Sequence, residues 1–274
     1  MKLQTIYVWL QEQDSCLDSQ IEKTQIQLVY LKDQEQLCKL DAQQIRTGLL
    51  LTDDVEALKL TDMSYVILLN QYSLGKTLPE GAYCVEALKD IDAEYFVRVY
   101  QRKHGLPWNI LETKRLRIRE ITLQDVDALE ALYADEEVTR YMETLFPHEK
   151  ELEYTQNYIT YVYGFYGYGM WIVEEKESHQ IIGRVGLESK EGFEGLELGF
   201  MLGKPYWNHG YATEMCKAVL EYGIEQLEVF SYRALVEPQN ERSIRLCERL
   251  GFIKHGMQGS YIEMRKEECT RRKI

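Results

Sequence analysis

Apolar positions along the chain fall into two series. In the first, short apolar runs alternate with amphipathic stretches. Residues 3–10 and 26–31 read as strands, and Gln34 to Ile45 reads as a helix after Asp33, with apolar positions 37, 40 and 45. Gly48-Leu49-Leu50-Leu51-Thr52 has the unbroken apolar run of a buried strand, and Asp53-Asp54 opens another helix. Tyr65 to Leu69 and Tyr83 to Val85 are further apolar runs. Asp92 to Lys103 is a helix with Tyr95, Phe96, Val99 and Tyr100 on one face. Short strands alternating with helices predict a small three-layer α/β domain with a mostly parallel sheet. His104-Gly105-Leu106-Pro107-Trp108 ends the helix and reads as a linker, so the expected domains are 1–110 and 111–274.

In the second series, Arg115 to Ile121 is a strand. Leu123 to Ala134 is a helix with Leu123, Val126, Leu129 and Leu132 inward, and Lys150 to Tyr163 is a second helix. Met170 to Val173, Ile181 to Leu187 and Leu196 to Leu202 are successive strands, the first two joined by the polar turn Lys176 to His179. A helix after residue 210, a strand over Tyr232 to Val236, a helix over Asn240 to Leu250 and a closing pair near Phe252 and Tyr261 complete the domain.

The most informative stretch is Leu196 to Leu227. Leu196, Leu198, Phe200 and Leu202 recur at period two, between Gly195 and Gly203. Ala212, Met215, Cys216, Val219, Leu220 and Leu227 follow at helical spacing. Between them lies Trp207-Asn208-His209-Gly210-Tyr211-Ala212. Small residues at 210 and 212 let backbone approach a ligand, and the helix start offers N–H groups and a positive dipole end. This is either an anion cradle or an ordinary strand-to-helix connection with one glycine.

Composition narrows the classes. Hydrophobic content is 45 %, and net charge is −13. Residues 1–110 carry 11 basic and 16 acidic side chains, and the remainder carries 21 and 29. Both parts are acidic, which argues against a nucleic-acid phosphate surface and permits a cationic substrate, although solubility alone explains such a balance. No apolar run approaches a membrane span, and no basic segment followed by an apolar one opens the chain, so a cytoplasmic protein is expected. The six cysteines (16, 38, 84, 216, 247 and 269) include no C-x-x-C pair and no metal-binding spacing with histidine. Reduced thiols and no metal site are expected.

Three ordered motifs carry a resemblance. The turn x-x-x-G-x-A, with Gly210 and Ala212, resembles the Q/R-x-x-G-x-G/A signature of the GNAT superfamily of N-acetyltransferases. Trp207 stands at the usual Gln/Arg position. Asn240-Glu241-Arg242-Ser243, leading to Leu250-Gly251-Phe252, resembles its second motif. Glu112 to Arg119 resembles the opening strand of the branch that acetylates ribosomal-protein N-termini. The resemblance covers 112 to about 266 and implies a GNAT fold with a central mixed, splayed sheet. It also implies acetyl-CoA as co-substrate, a small-molecule amine or protein N-terminus as acceptor, and leaves a homodimer open. A non-catalytic acyl-CoA sensor is the competing class.

By that resemblance the pyrophosphate of acetyl-CoA rests on the amides of Asn208, His209, Gly210, Tyr211, Ala212 and Thr213. Its pantetheine arm lies along Phe200, Met201 and Leu202, with Asn240 and Ser243 beside it. Asn240 reads equally as a helix N-cap with Ser243 in the capping box. Glu197, between two leucines on a strand, is either a desolvated general base or a structural hydrogen-bonding group, with Glu188 as runner-up. Cys247 occupies the position where many members place a tyrosine acid. It reads as a buried structural thiol or as a group near the CoA sulfur. Residues 154–168 hold six tyrosines and one phenylalanine, either a packing face or an acceptor wall. The expectation for the 164–167 loop is mobility.

The first domain resembles a stripped-down haloacid dehalogenase-like domain in its Leu-Thr-Asp-Asp strand end and its Tyr-Cys-Val-Glu-Ala-Leu segment. Its first strand lacks the D-x-D pair, so no phosphatase chemistry is expected. Thr52 and Asp53 read as a helix cap, and Lys76 as a surface charge.

Overall fold

The computed structural model describes residues 2–12 and 16–268. The chain divides into two compact units, Met1–Trp108 and Asn109–Ile274.

The first unit runs β1 (Thr5–Trp9), α1 (Cys16–Ile21), β2 (Gln27–Tyr30), α2 (Gln34–Cys38), α3 (Ala42–Thr47), β3 (Gly48–Thr52), β4 (Ser64–Leu68), β5 (Cys84–Val85) and α4 (Ala93–Lys103). Among the described residues its five strands form a wholly parallel sheet in the order β2-β1-β3-β4-β5. Ile6, Val8, Leu49, Leu51 and Val66 bury one face with Phe96, Val99 and Tyr100, while Tyr7 and Leu50 bury the other with Leu37 and Met63. Burial on both faces explains why β3 is apolar at every central position. The helix expected over 34–45 is two helices. Asp41 accepts from the Gln43 and Gln44 amides and, with the Gln44 side chain, forms a capping box that starts α3.

Thr52 and Asp53 also differ from expectation. The cap is Asp54, whose side chain accepts from the Glu56 amide. Asp53 is fully buried, accepting from the Gln11 amide and from Asn70 Nδ2 at 2.9 Å. Trp108 does not lie in an open linker, because its Nε1 donates to the Arg98 carbonyl at 3.0 Å.

The second unit runs β6 (Asn109–Glu112), β7 (Leu116–Arg119), α5 (Val126–Tyr133), α6 (Glu136–Thr139), α7 (His148–Asn157), α8 (Gly164–Tyr166), β8 (Met170–Glu175), β9 (Ile181–Ser189), β10 (Leu196–Leu202), α9 (Tyr211–Glu225), β11 (Ser231–Val236), α10 (Glu241–Arg249), β12 (Ile253–Gln258) and β13 (Tyr261–Glu267). Among the described residues its eight strands follow the order β12-β13-β11-β10-β9-β8-β7-β6. Neighbours are antiparallel except β10 and β11. β6 lies where the Pro-containing linker was expected to give way to one strand only. The second predicted helix is α7 followed by a π-helical turn at Tyr158–Tyr163, and α8 follows it directly.

β10 pairs with β9 along its whole length. With β11 it pairs only at Leu196↔Tyr232 and Glu197↔Arg233. From Leu198 onward the two parallel strands part, leaving one backbone edge of β10 without a strand partner. Leu198 is buried in the wall of this opening, and truncating it to Ala is expected to cost about 2–5 kcal/mol in chemical denaturation.

Candidate active site

The parted strands open into a cleft of about 670 Å³. One wall is β10, and the far wall is the end of β11 with the start of α10. At the C-terminal end of β10, Trp207 turns its indole back and Nε1 donates to the Leu202 carbonyl at 2.7 Å. The chain then takes two left-handed residues, Asn208 at φ 64° and Gly210 at φ 81°. Glycine takes that conformation without strain, and α9 begins at the next residue. No side chain caps α9, so the N–H groups of its first turn have no partner within the helix or from a cap. Such a terminus favours an anion.

The cleft brings together most of the residues picked from sequence. Glu197, Phe200, Met201, Leu202, Asn208, Gly210, Ala212, Thr213, Asn240 and Ser243 all line it. His209 and Tyr211 do not. The Tyr211 ring lies against Arg115 with the His209 ring 6.4 Å away, and the Tyr211 hydroxyl donates to Glu175. The Asn240 side chain accepts from the Ser243 amide, so it is a helix cap at the edge of the cleft. Gly199 acts by leaving room, since a Cβ there would meet Met170 Sδ at 2.8 Å.

Cys247 is not brought to the cleft. It is fully buried on the inner side of α10, where burial pushes its thiol up to about 12. Cys38, Cys84 and Cys216 also carry free thiols, and Cys269 lies outside the described residues.

Arg115 holds the turn from behind. Its Nη1 donates to the His209 carbonyl at 2.9 Å, its Nε donates to Glu214 at 2.7 Å, and its guanidinium lies 4.1 Å from the Tyr211 ring centre. Glu214 also accepts from Thr113 Oγ1 at 2.6 Å and from the Arg115 amide. Sequence reading missed this clamp because its partners lie about a hundred positions apart. Burial raises the Glu214 pKa, but hydrogen bonds from Thr113 and Arg115 outweigh it and leave the carboxyl below its usual value. A depressed folded pKa contributes stability that is complete above the unfolded value of about 4.3 and is lost as pH falls through the folded one. Glu214→Gln is therefore expected to lower Tm by several degrees at pH 7, with the deficit shrinking below about pH 4. Thermal melts across pH check this, and an unchanged deficit at low pH would contradict it.

Glu197 sits at the apex of the cleft on the last paired rung. It is not an isolated carboxylate among leucines, because Arg233 Nε donates to its Oε2 at 2.8 Å. Oε1 has no hydrogen bond among the described residues. Glu188 lies across the strand pair from Glu197. It accepts from the Tyr158 hydroxyl at 2.8 Å and pairs with Lys190 at 2.9 Å. Tyr154, Tyr158, Tyr161, Tyr166 and Tyr168 line a separate cavity of about 390 Å³ with Glu188 and Lys190. Sequence spacing pointed to no metal ligands. The fold nevertheless gathers Asp127, Glu130 and His148 at the surface, with His148 Nδ1 3.0 Å from Glu130.

The sequence profile of the acetyltransferase (GNAT) domain matches residues 115–253, half of the chain. The chain belongs to the GNAT acetyltransferase family. The uncharacterized N-acetyltransferase YoaA of Bacillus subtilis is 31 % identical over 156 residues, spanning 56 % of this chain and 88 % of that protein. A solved acetyltransferase from Agrobacterium tumefaciens shares the fold with a TM-score of 0.51 and 22 % identity, over 58 % of this chain and 94 % of that one. RimL, a ribosomal α-N-protein acetyltransferase solved in complex with coenzyme A, shares it with a TM-score of 0.50 and 15 % identity, over 59 % and 98 %. In this GNAT chain the matched segment holds both walls of the cleft and the left-handed turn. Among the described residues no helix is long and apolar enough to cross a membrane.

Proposed function

We propose that this acetyltransferase moves the acetyl group of acetyl-CoA to a primary amine by direct attack. The observation that carries the reading is the parting of β10 from β11 after the Glu197–Arg233 rung, beside the uncapped start of α9. An extended pantetheine arm pairs with the free edge of β10 as an added strand would. The pyrophosphate takes the N–H groups between Asn208 and Thr213. The binding of coenzyme A by a solved protein of the same fold supports this placement.

Chemistry follows from position. The amine must lose a proton before it attacks the thioester carbonyl. Glu197 lines the cleft, and its carboxylate takes that proton directly or through water. The C–N bond forms as the C–S bond breaks, and the departing thiolate is protonated from water, since Cys247 is buried elsewhere. The first unit has no part in this chemistry.

An acceptor panel tests the reading. Purified protein with acetyl-CoA is expected to release free thiol steadily in the presence of small amines or peptides with a free N-terminus. Tight acetyl-CoA binding with no release for any acceptor would instead mark a non-catalytic sensor.

A further inference from the structure

We infer that the mouth of the cleft carries a phosphate-monoester subsite, built by Arg140, Arg242 and Arg245, that recognises the 3′-phosphate of coenzyme A. This rests on the reading that coenzyme A occupies the cleft. A second cavity of about 240 Å³ is lined by those three arginines together with Glu137, Tyr141, Gln239, Asn240 and Glu241. Glu137, Tyr141, Asn240, Arg242 and Arg245 line the main cleft as well, so the two spaces adjoin.

Charge decides what this space takes. Its two carboxylates are already paired, Glu137 with Lys204 at 2.6 Å and Glu241 with Arg245 at 2.9 Å. Arg140 and Arg242 have no carboxylate partner among the described residues. Their guanidinium groups lie instead near aromatic rings, Arg242 at 4.4 Å from the Trp207 ring centre and Arg140 at 5.7 Å from that of Tyr141. In a chain of net charge −13, two unpaired arginines beside one cavity are a local excess of positive charge that selects an anion. A ring contact limits the guanidinium's freedom while leaving its N–H groups available to a phosphate.

The location distinguishes this anion from the pyrophosphate. Trp207 immediately precedes the left-handed turn and lies against Arg242, which lines both spaces, while Arg140 lines the second cavity and not the main cleft. The amides of the turn suit the pyrophosphate, and the arginines suit a second, dianionic group close by. Coenzyme A carries such a group on its ribose, and 3′-dephospho-CoA lacks it. The same contacts explain the residue at position 207, where the indole both fastens the turn to Leu202 and supports Arg242.

Calorimetric titration of the full chain with coenzyme A and with 3′-dephospho-CoA tests the subsite. The wild type is expected to bind coenzyme A roughly 10–100-fold more tightly, as fits one or two charge-assisted contacts. The Arg140→Gln/Arg242→Gln double variant should lose most of that preference and bind 3′-dephospho-CoA as the wild type does. Both side chains are exposed, so folding should be unaffected, and melting temperature checks it. Equal affinity of the wild type for the two ligands would overturn the subsite while leaving the coenzyme A reading intact. Failure of both ligands to bind would overturn the two together.

Discussion

Gly210→Glu is expected to lower coenzyme A affinity at least roughly 100-fold while leaving the melting temperature within a few degrees of wild type. The residue sits at φ 81°, where a side chain adds strain of about 1–2 kcal/mol. There is room for it, since the nearest atom to a built Cβ is Arg115 Nη2 at 3.6 Å. The larger effect is electrostatic. A carboxylate at the α9 N-terminus occupies the N–H groups that the pyrophosphate needs and repels its charge. Gly210→Ala separates the two contributions, because it carries the same backbone strain without the charge. Alanine should weaken binding far less than glutamate. Calorimetry on both variants decides, and unchanged affinity for Gly210→Glu would move the pyrophosphate elsewhere.

Glu197→Gln is expected to reduce turnover by roughly 10²–10⁴-fold, the loss typical of a missing general base. Coenzyme A affinity should hardly change, since the turn that holds the phosphates does not use this side chain. The Arg233 pair adds a second consequence. Its side chain is only 6 % exposed, and glutamine leaves that guanidinium without its counter-charge, so a fall in melting temperature accompanies the kinetic loss. The two effects part with pH. Alkaline solution supplies free amine and relieves the need for a base, so the turnover deficit should shrink as pH rises towards the acceptor's pKa, about 8 for a peptide N-terminus and about 10 for an alkyl amine. A purely structural role predicts normal turnover per folded molecule and no such recovery. Full activity of the glutamine variant at neutral pH would shift the assignment to Glu188 or to attack by amines already neutral.

Much of this site was legible as local pattern. β10 announced itself by four apolar residues at period two, and α9 by its apolar stripe. Gly210 marked the turn between them because a left-handed residue before a helix favours glycine. What escaped was long-range. The Glu197–Arg233 pair joins positions 36 apart, and only tertiary pairing makes it the last rung before the strands part. Arg115 was read as one residue of an opening strand, whereas its side chain crosses to Glu214 and His209. Some signals were present but outweighed. Asp41 and Gln44 have the spacing of a capping box inside what the apolar positions suggested was a single helix. The π-helical turn at Tyr158–Tyr163 has no comparable local signature, and Tyr158 at its start donates to Glu188. In the first unit, Asp53 resembled a cap by its place after a strand, but its partners come from the loops that follow β1 and β4.

Hydrogen–deuterium exchange of the wild-type chain with and without acetyl-CoA tests most directly whether the parted strands hold the co-substrate. Saturating acetyl-CoA is expected to protect the amides of residues 198–202 and 208–213, with smaller protection at 234–240. The sheet between β6 and β8 should be unchanged. Protection confined to other segments, or none in 198–202 and 208–213 at saturation, would contradict the placement of acetyl-CoA between β10 and β11.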